Sequence, residues 1–132
     1  MKLVYSSLSF FLSLFAAIYM KYYIFIFLFI CLIITSIINH IKYTKLTKIL
    51  DKSVVFIIVL YTVYFHYKYY NHRKKFYVLI FLIILLYLAL IYFYGNYIKN
   101  YCFHSNIDIA NNYHLSVHLL STIYWTILIL FY

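Results

Sequence analysis

The amino-acid sequence predicts an all-α integral membrane bundle, a single membrane-embedded domain of about five transmembrane helices, and three observations carry that prediction. Hydrophobic residues fill 68% of the 132 positions and charged residues only 10%, far from the balance of a soluble globular domain. The apolar residues come in runs of 17 to 19 separated by short basic connections, the length a helix needs to cross a hydrocarbon layer. Proline is absent and Gly95 is the single glycine, so the runs contain almost nothing that would break a helix.

The first run, residues 3 to 20 behind Lys2, reads as a membrane helix or as a signal sequence with Ala16-Ala17 near a cleavage point; its length and aromatic content favour the helix. The second run, 22 to 40, follows directly after Lys21. Joined, the two would make a helix of about 55 Å at 1.5 Å per residue, too long for one crossing, so a break is expected near Lys21. From Ile41 to Lys52, apolar residues alternate with Lys42, Lys45, Lys48 and Lys52, the pattern of an amphipathic segment in the interface or of an ordinary basic loop. Residues 54 to 70 form a third span ending in an aromatic belt, and the basic turn Asn71 to Lys75 follows. Residues 76 to 94 make the cleanest span, without a charge, and Gly95-Asn96 is expected to end it. A polar connection, 95 to 112, leads to the last span, 114 to 132, with the Asn111-Asn112 pair as its expected cap.

The formal charge of +9 does not point to nucleic acid, because the basic residues lie between apolar runs, where they read as contacts to the headgroups of the lipid bilayer. They divide almost evenly between the two sides, so orientation stays open, as does oligomeric state. Cys31, inside an apolar run, and Cys102, in a polar connection, are not expected to pair. Asp51 and Asp108 are the only acidic residues, so any chemistry that needs a carboxylate must use one of them.

The last run opens with His114 and His118, four apart and therefore on one helix face, a spacing that lets both imidazoles reach one metal ion. Ionisable groups at membrane depth are costly and mark functional sites by default. Counting crossings brings partners to this pair. If the second span ends at His40, Asp51 begins the third on the same side; two further crossings return the chain there for His114. His40, Asp51, His114 and His118 thus share one membrane face, and Ser36 lies one turn below His40, where its hydroxyl can reach a substrate oxygen or bond its own helix. His66 and His72 fall towards the other face and read as interfacial aromatics, while His104 is on the right side but has no fixed spacing to the pair.

Ser36-Ile-Ile-Asn-His40, then Ile49-Leu50-Asp51, then His114-x-x-x-His118-Leu-Leu-Ser121, resembles the alkaline ceramidase family, part of a superfamily that includes adiponectin and progestin receptors. The resemblance implies that His40, His114 and His118 hold zinc (Zn2+), that Asp51 faces the attacking water and that Ser36 assists at the reacting centre. It also implies a zinc-dependent membrane hydrolase of lipid amide bonds, with a ceramide-like membrane lipid as substrate. The match covers about half of the chain. Members of that family have seven spans, two more than expected here, and an acidic calcium site near the N-terminus, whereas no Asp or Glu precedes Asp51 in this chain. The alternative is a non-enzymatic small membrane protein, receptor-like or of the viral accessory type, with a structural zinc site or no metal at all.

Overall fold

The computed structural model describes residues 2–70 and 74–132, so the expectation for His72 lies outside the described residues. The chain is all-α: α1 (Lys2–Leu8), α2 (Phe10–Tyr19), α3 (Tyr23–Ile41), α4 (Lys45–Lys68), α5 (Lys75–Ala89), α6 (Gly95–Ile98) and α7 (Ile107–Phe131), with a π-helical turn Leu90–Tyr94 between α5 and α6. The helices α1 and α2 wedge between α3 and α7, α4 packs on the flank of α3, and α5 leans on α7.

The first run is bent rather than straight, and its serines explain the bend. Ser6 and Ser7 donate to the Leu3 carbonyl and Ser9 to that of Ser6, while the backbone tightens to three-residue bonds, Ser9 N to Ser6 O and Leu12 N to Ser9 O. Hydroxyls that bond back to their own helix in this way bend it. The expected break after α2 is present. Lys21 takes a left-handed φ of 59°, its N–H donates to Ile18 O, and the Tyr22 N–H reaches back to Ala17 O, the paired bonds of a Schellman ending.

From there α3 buries Phe25, Leu28, Phe29, Leu32, Ile33, Ser36 and Asn39, a stripe at helical spacing that ends beside His40. Its connection to α4 is short. The segment from Lys45 to Lys52 is not a loop: a capping box between Thr44 and Thr47 starts α4 at Lys45, so the basic residues from Lys45 on form its first turns and the expected 54–70 span is the apolar remainder of one longer helix.

Gly95 does not end the fourth run. The helix continues through the π turn into α6 and stops at Lys99, whose φ is 53°. The returning chain crosses close over position 95, where an added Cβ would lie 3.0 Å from both Asn100 O and Tyr101 Cδ2 and would push those neighbours aside by a few tenths of an ångström. Likewise, α7 begins well before the Asn111-Asn112 pair. Asn106 is its cap, its Oδ1 accepting from the N–H groups of Asp108 (2.9 Å) and Ile109 (3.4 Å), and Asp108 adds negative charge to the first turn.

Among the described residues, three helical stretches are long and apolar enough to cross a membrane, Tyr23–Ile41, Lys75–Phe103 and Ile107–Phe131, and a shorter apolar one covers Leu3–Tyr19. The polar first turns of α4 set it apart from the three. A bilayer around such helices would make apolar burial alone worth little, because lipid tails are as apolar as leucine, and close packing and hydrogen bonds would then hold them together. Small and polar residues supply both. Ala17, Ser7, Ser13, Thr62 and Thr122 are buried at the helix contacts. Ser9 bonds Thr122 (2.9 Å), Ser13 bonds Thr126 (3.0 Å), and the Trp125 indole N–H donates to Thr62 Oγ1 (3.2 Å) within an aromatic cluster of Phe25, Phe29 and Phe65.

Candidate metal centre

At the end of the bundle where α3 finishes, His40 meets His114 and His118 from α7. The two α7 rings stand one turn apart with Nε2 to Nε2 at 3.1 Å, and the His40 ring centroid lies 5.1 Å from that of His114 and 5.5 Å from that of His118. One ligand atom from each of the three falls within 4.8 Å of the others. Nitrogens that share a tetrahedral zinc at about 2.0–2.1 Å sit about 3.3 Å apart, so the α7 pair is already at ligand spacing and His40 has at most about 1.5 Å to close. His40 Nε2 is buried and has no hydrogen-bond partner among the described residues. A buried polar nitrogen without a partner costs free energy, and a shared cation is what would satisfy it. The three residues therefore fit a metal: imidazoles, converging, with an orphaned nitrogen.

The surroundings are apolar and aromatic. Phe10 of α2 packs on His118, with centroids 5.2 Å apart, and Tyr92, placed by the π turn, packs edge-on against His114 at 6.1 Å. Lys52 lies over the outer face of Tyr92 at 5.5 Å.

Asp51 enters from the first turns of α4, before its apolar part. Its Oδ2 accepts from the Asn39 side-chain amide at 3.2 Å, and Asn39 is the chain neighbour of His40. The carboxylate is thus tied to the residue next to a candidate ligand and is not one of the clustered ligand atoms. Burial pushes the Asp51 carboxyl up to about 6, against the opposing pull of the Asn39 bond and of Lys52. Ser36 lies one turn below His40, fully buried, with its Oγ 2.9 Å from Ser7 Oγ of α1. The structure thus brings the histidine triad together and leaves Asp51 and Ser36 at its margin, each held by another side chain.

Two further histidines resolve differently. His66 is not an interfacial aromatic: it is only 5% exposed, packs between Phe81 and Tyr132, and shares a hydrogen bond with the Tyr124 hydroxyl. The reason is that its helix face continues the buried stripe Ile58, Thr62, Phe65 towards α7. His104 accepts from the Asn106 N–H at 2.9 Å beside the cap of α7 and is not part of the triad.

Sequence reasoning missed the contribution of α1. Ser6 Oγ lies 2.9 Å from His118 Nδ1 and Ser7 holds Ser36, so this short helix braces the site from behind. The available signal was the set Ser6, Ser9 and Ser13 at helical spacing inside an apolar run. Two cavities, one of about 210 Å³ lined by Tyr87, Asn112, Tyr113 and Ser116 and an apolar one of about 280 Å³ between Ile80, Ile84, Leu120 and Ile127, lie between α5 and α7, on the side of α7 away from the triad. No protein-family model, curated protein or solved structure matches this chain, so the chemistry of the site has to be argued from its own residues.

Proposed function

We propose that this chain is a multi-pass integral membrane protein that holds zinc on His40, His114 and His118 and hydrolyses an amide bond of a membrane lipid. The single observation that supports the metal reading is the meeting of the unpartnered, buried His40 Nε2 with the paired Nε2 atoms of His114 and His118. Zinc held by three protein ligands keeps one position open and supplies Lewis acidity, activating water near neutral pH and polarising a carbonyl. Asp51 takes the proton of the attacking water in this reading, which is supported by its carboxyl being raised to about 6, ionised at neutral pH yet more basic than an exposed one. Asn39 orients it. Ser36 donates to the developing oxyanion once its hydroxyl turns from Ser7, a contribution of a few kcal/mol in comparable sites, about 3. The choice of a ceramide-like substrate rests on the resemblance of the motifs to those of alkaline ceramidases.

A second reading is favoured by a different observation: both Asp51 and Ser36 are already engaged, with Asn39 and Ser7. A metal that only ties α3 to α7 would leave them so, because structural sites contribute folding energy without a reacting water. The test is metal content and turnover of protein purified in detergent. About one zinc per chain is expected, lost in His114→Ala and His118→Ala, with hydrolysis of short-chain or long-chain ceramide. Bound zinc with no turnover of lipid amides or esters leaves the structural tie. Protein that takes up no zinc when it is supplied overturns both.

A further inference from the structure

We infer that Ser6 of α1 is a positioning residue that holds His118 in the tautomer needed for metal binding, with the proton on Nδ1 and the lone pair of Nε2 directed at the cluster. This rests on the metal reading for its purpose, but its derivation rests on hydrogen-bond bookkeeping alone. A serine hydroxyl has one proton to give and two lone pairs to accept with. Ser6 Oγ lies 2.8 Å from the Leu3 carbonyl oxygen, which can only accept, so the hydroxyl proton goes there. The same oxygen lies 2.9 Å from His118 Nδ1, and with its proton committed it must accept. Nδ1 therefore carries the hydrogen of His118.

The reverse arrangement, with Ser6 donating to a bare Nδ1, would leave Ser6 Oγ and Leu3 O as two oxygens 2.8 Å apart with no hydrogen between them. Ser6 is buried, so no bulk water screens that contact. The consequence reaches the next ring. His118 Nε2 is left as an acceptor, so the 3.1 Å contact makes His114 Nε2–H the donor when no metal is bound. His114 then has to yield that proton when a cation enters, whereas His118 is already in ligand form. Ligating histidines commonly have the second nitrogen fixed in this way by a neighbouring acceptor, and loss of such a partner weakens metal binding by about 10–100-fold.

The experiment uses the full chain in micelles, labelled with 15N at histidine, and zinc titration of the same samples. In metal-free wild type, His118 is expected to show a protonated Nδ1 and an unprotonated Nε2, and Ser6→Ala to show a mixture of the two tautomers. Zinc affinity of Ser6→Ala should fall by about 10–100-fold, while Ser6→Thr, which keeps the hydroxyl, recovers most of it. Ser9→Ala, which removes a hydroxyl bonded to Thr122 from the same helix bend, should change neither. Wild-type His118 carrying its proton on Nε2 overturns the inference, and so does a Ser6→Ala protein that binds zinc as tightly as wild type. If Ser6→Ala does not fold, the wild-type spectrum decides alone. A protonated Nδ1 in a wild-type chain that takes up no zinc would sink the metal reading and leave the Ser6 assignment standing.

Discussion

Replacing Thr62 by valine tests how α4 is fastened to α7. Thr62 is 0% exposed, donates to the Ile58 carbonyl at 2.8 Å and accepts the Trp125 indole N–H at 3.2 Å. Valine keeps the shape and removes the acceptor, which leaves an indole N–H in an aromatic core without a partner. An orphaned buried donor costs about 1–3 kcal/mol in water-soluble proteins. Hydrogen bonds between membrane helices average about 0.6 kcal/mol and reach about 1.7, because the separated helices also find partners. The lost hydroxyl bonded only its own helix on the donor side, so its removal returns little. We therefore expect Thr62→Val to destabilise by about 1–1.5 kcal/mol, close to a tenfold change in the folded-to-unfolded ratio. The assay is reversible unfolding in mixed micelles, with Thr62→Ser retaining most of the stability. In a Trp125→Phe background the donor is gone and Thr62→Val should cost almost nothing, a coupling of about 1 kcal/mol. Strictly additive costs, or a serine variant as unstable as the valine one, would refute the pairing.

Three other outcomes are expected. Asp51→Asn should keep its zinc but lose hydrolysis by roughly 100-fold or more, measured on a soluble short-chain lipid amide. A base must be ionised to accept a proton, so with the Asp51 carboxyl raised to about 6 the wild-type rate should climb as pH rises through that value and level off above it. In the Asn variant that limb of the profile should vanish. Gly95→Ala should destabilise by about 1 kcal/mol in the unfolding assay, the overpacking of about 1–3 kcal/mol against a backbone oxygen being partly offset by the roughly 1 kcal/mol that alanine gains in a helix. His66→Gln should leave metal content unchanged, because His66 lies among Phe81, Tyr124 and Tyr132 on the opposite side of the bundle from His40.

The triad could be found in the sequence because apolar runs of fixed length impose alternation. Successive antiparallel helices sort their ends to two sides, and His40 at the end of α3 and His114 near the start of α7 fall on the same one. The same arithmetic could not say which way a side chain points around its helix, and so His66 was assigned by depth when its orientation was what mattered. Helix boundaries failed where polar residues were read as connections. Lys45 to Lys52 belong to α4 because a threonine pair caps the helix before them, a local bond that hydropathy does not register. A lone glycine after an apolar run suggests a terminator, whereas in the fold the missing side chain of Gly95 leaves room for the returning Asn100–Tyr101 connection. The serines of α1 carried no weight in an apolar run, since a hydroxyl bonded to its own helix and one bonded across helices look alike in sequence.

The contact between Ser6 and His118 joins residues 112 positions apart. During synthesis α1 is made long before α7, and until α7 arrives the hydroxyls of Ser6, Ser9 and Ser13 have no interhelical partner. The triad itself cannot assemble before that moment, because two of its members are on α7 and the third is on α3. Contacts at such separation slow folding, since the intervening chain must be ordered before they form. Drawing the site from α3 and α7 thus makes it a late event, and a chain halted after α5 would hold His40 facing a gap where the rest of its centre should be.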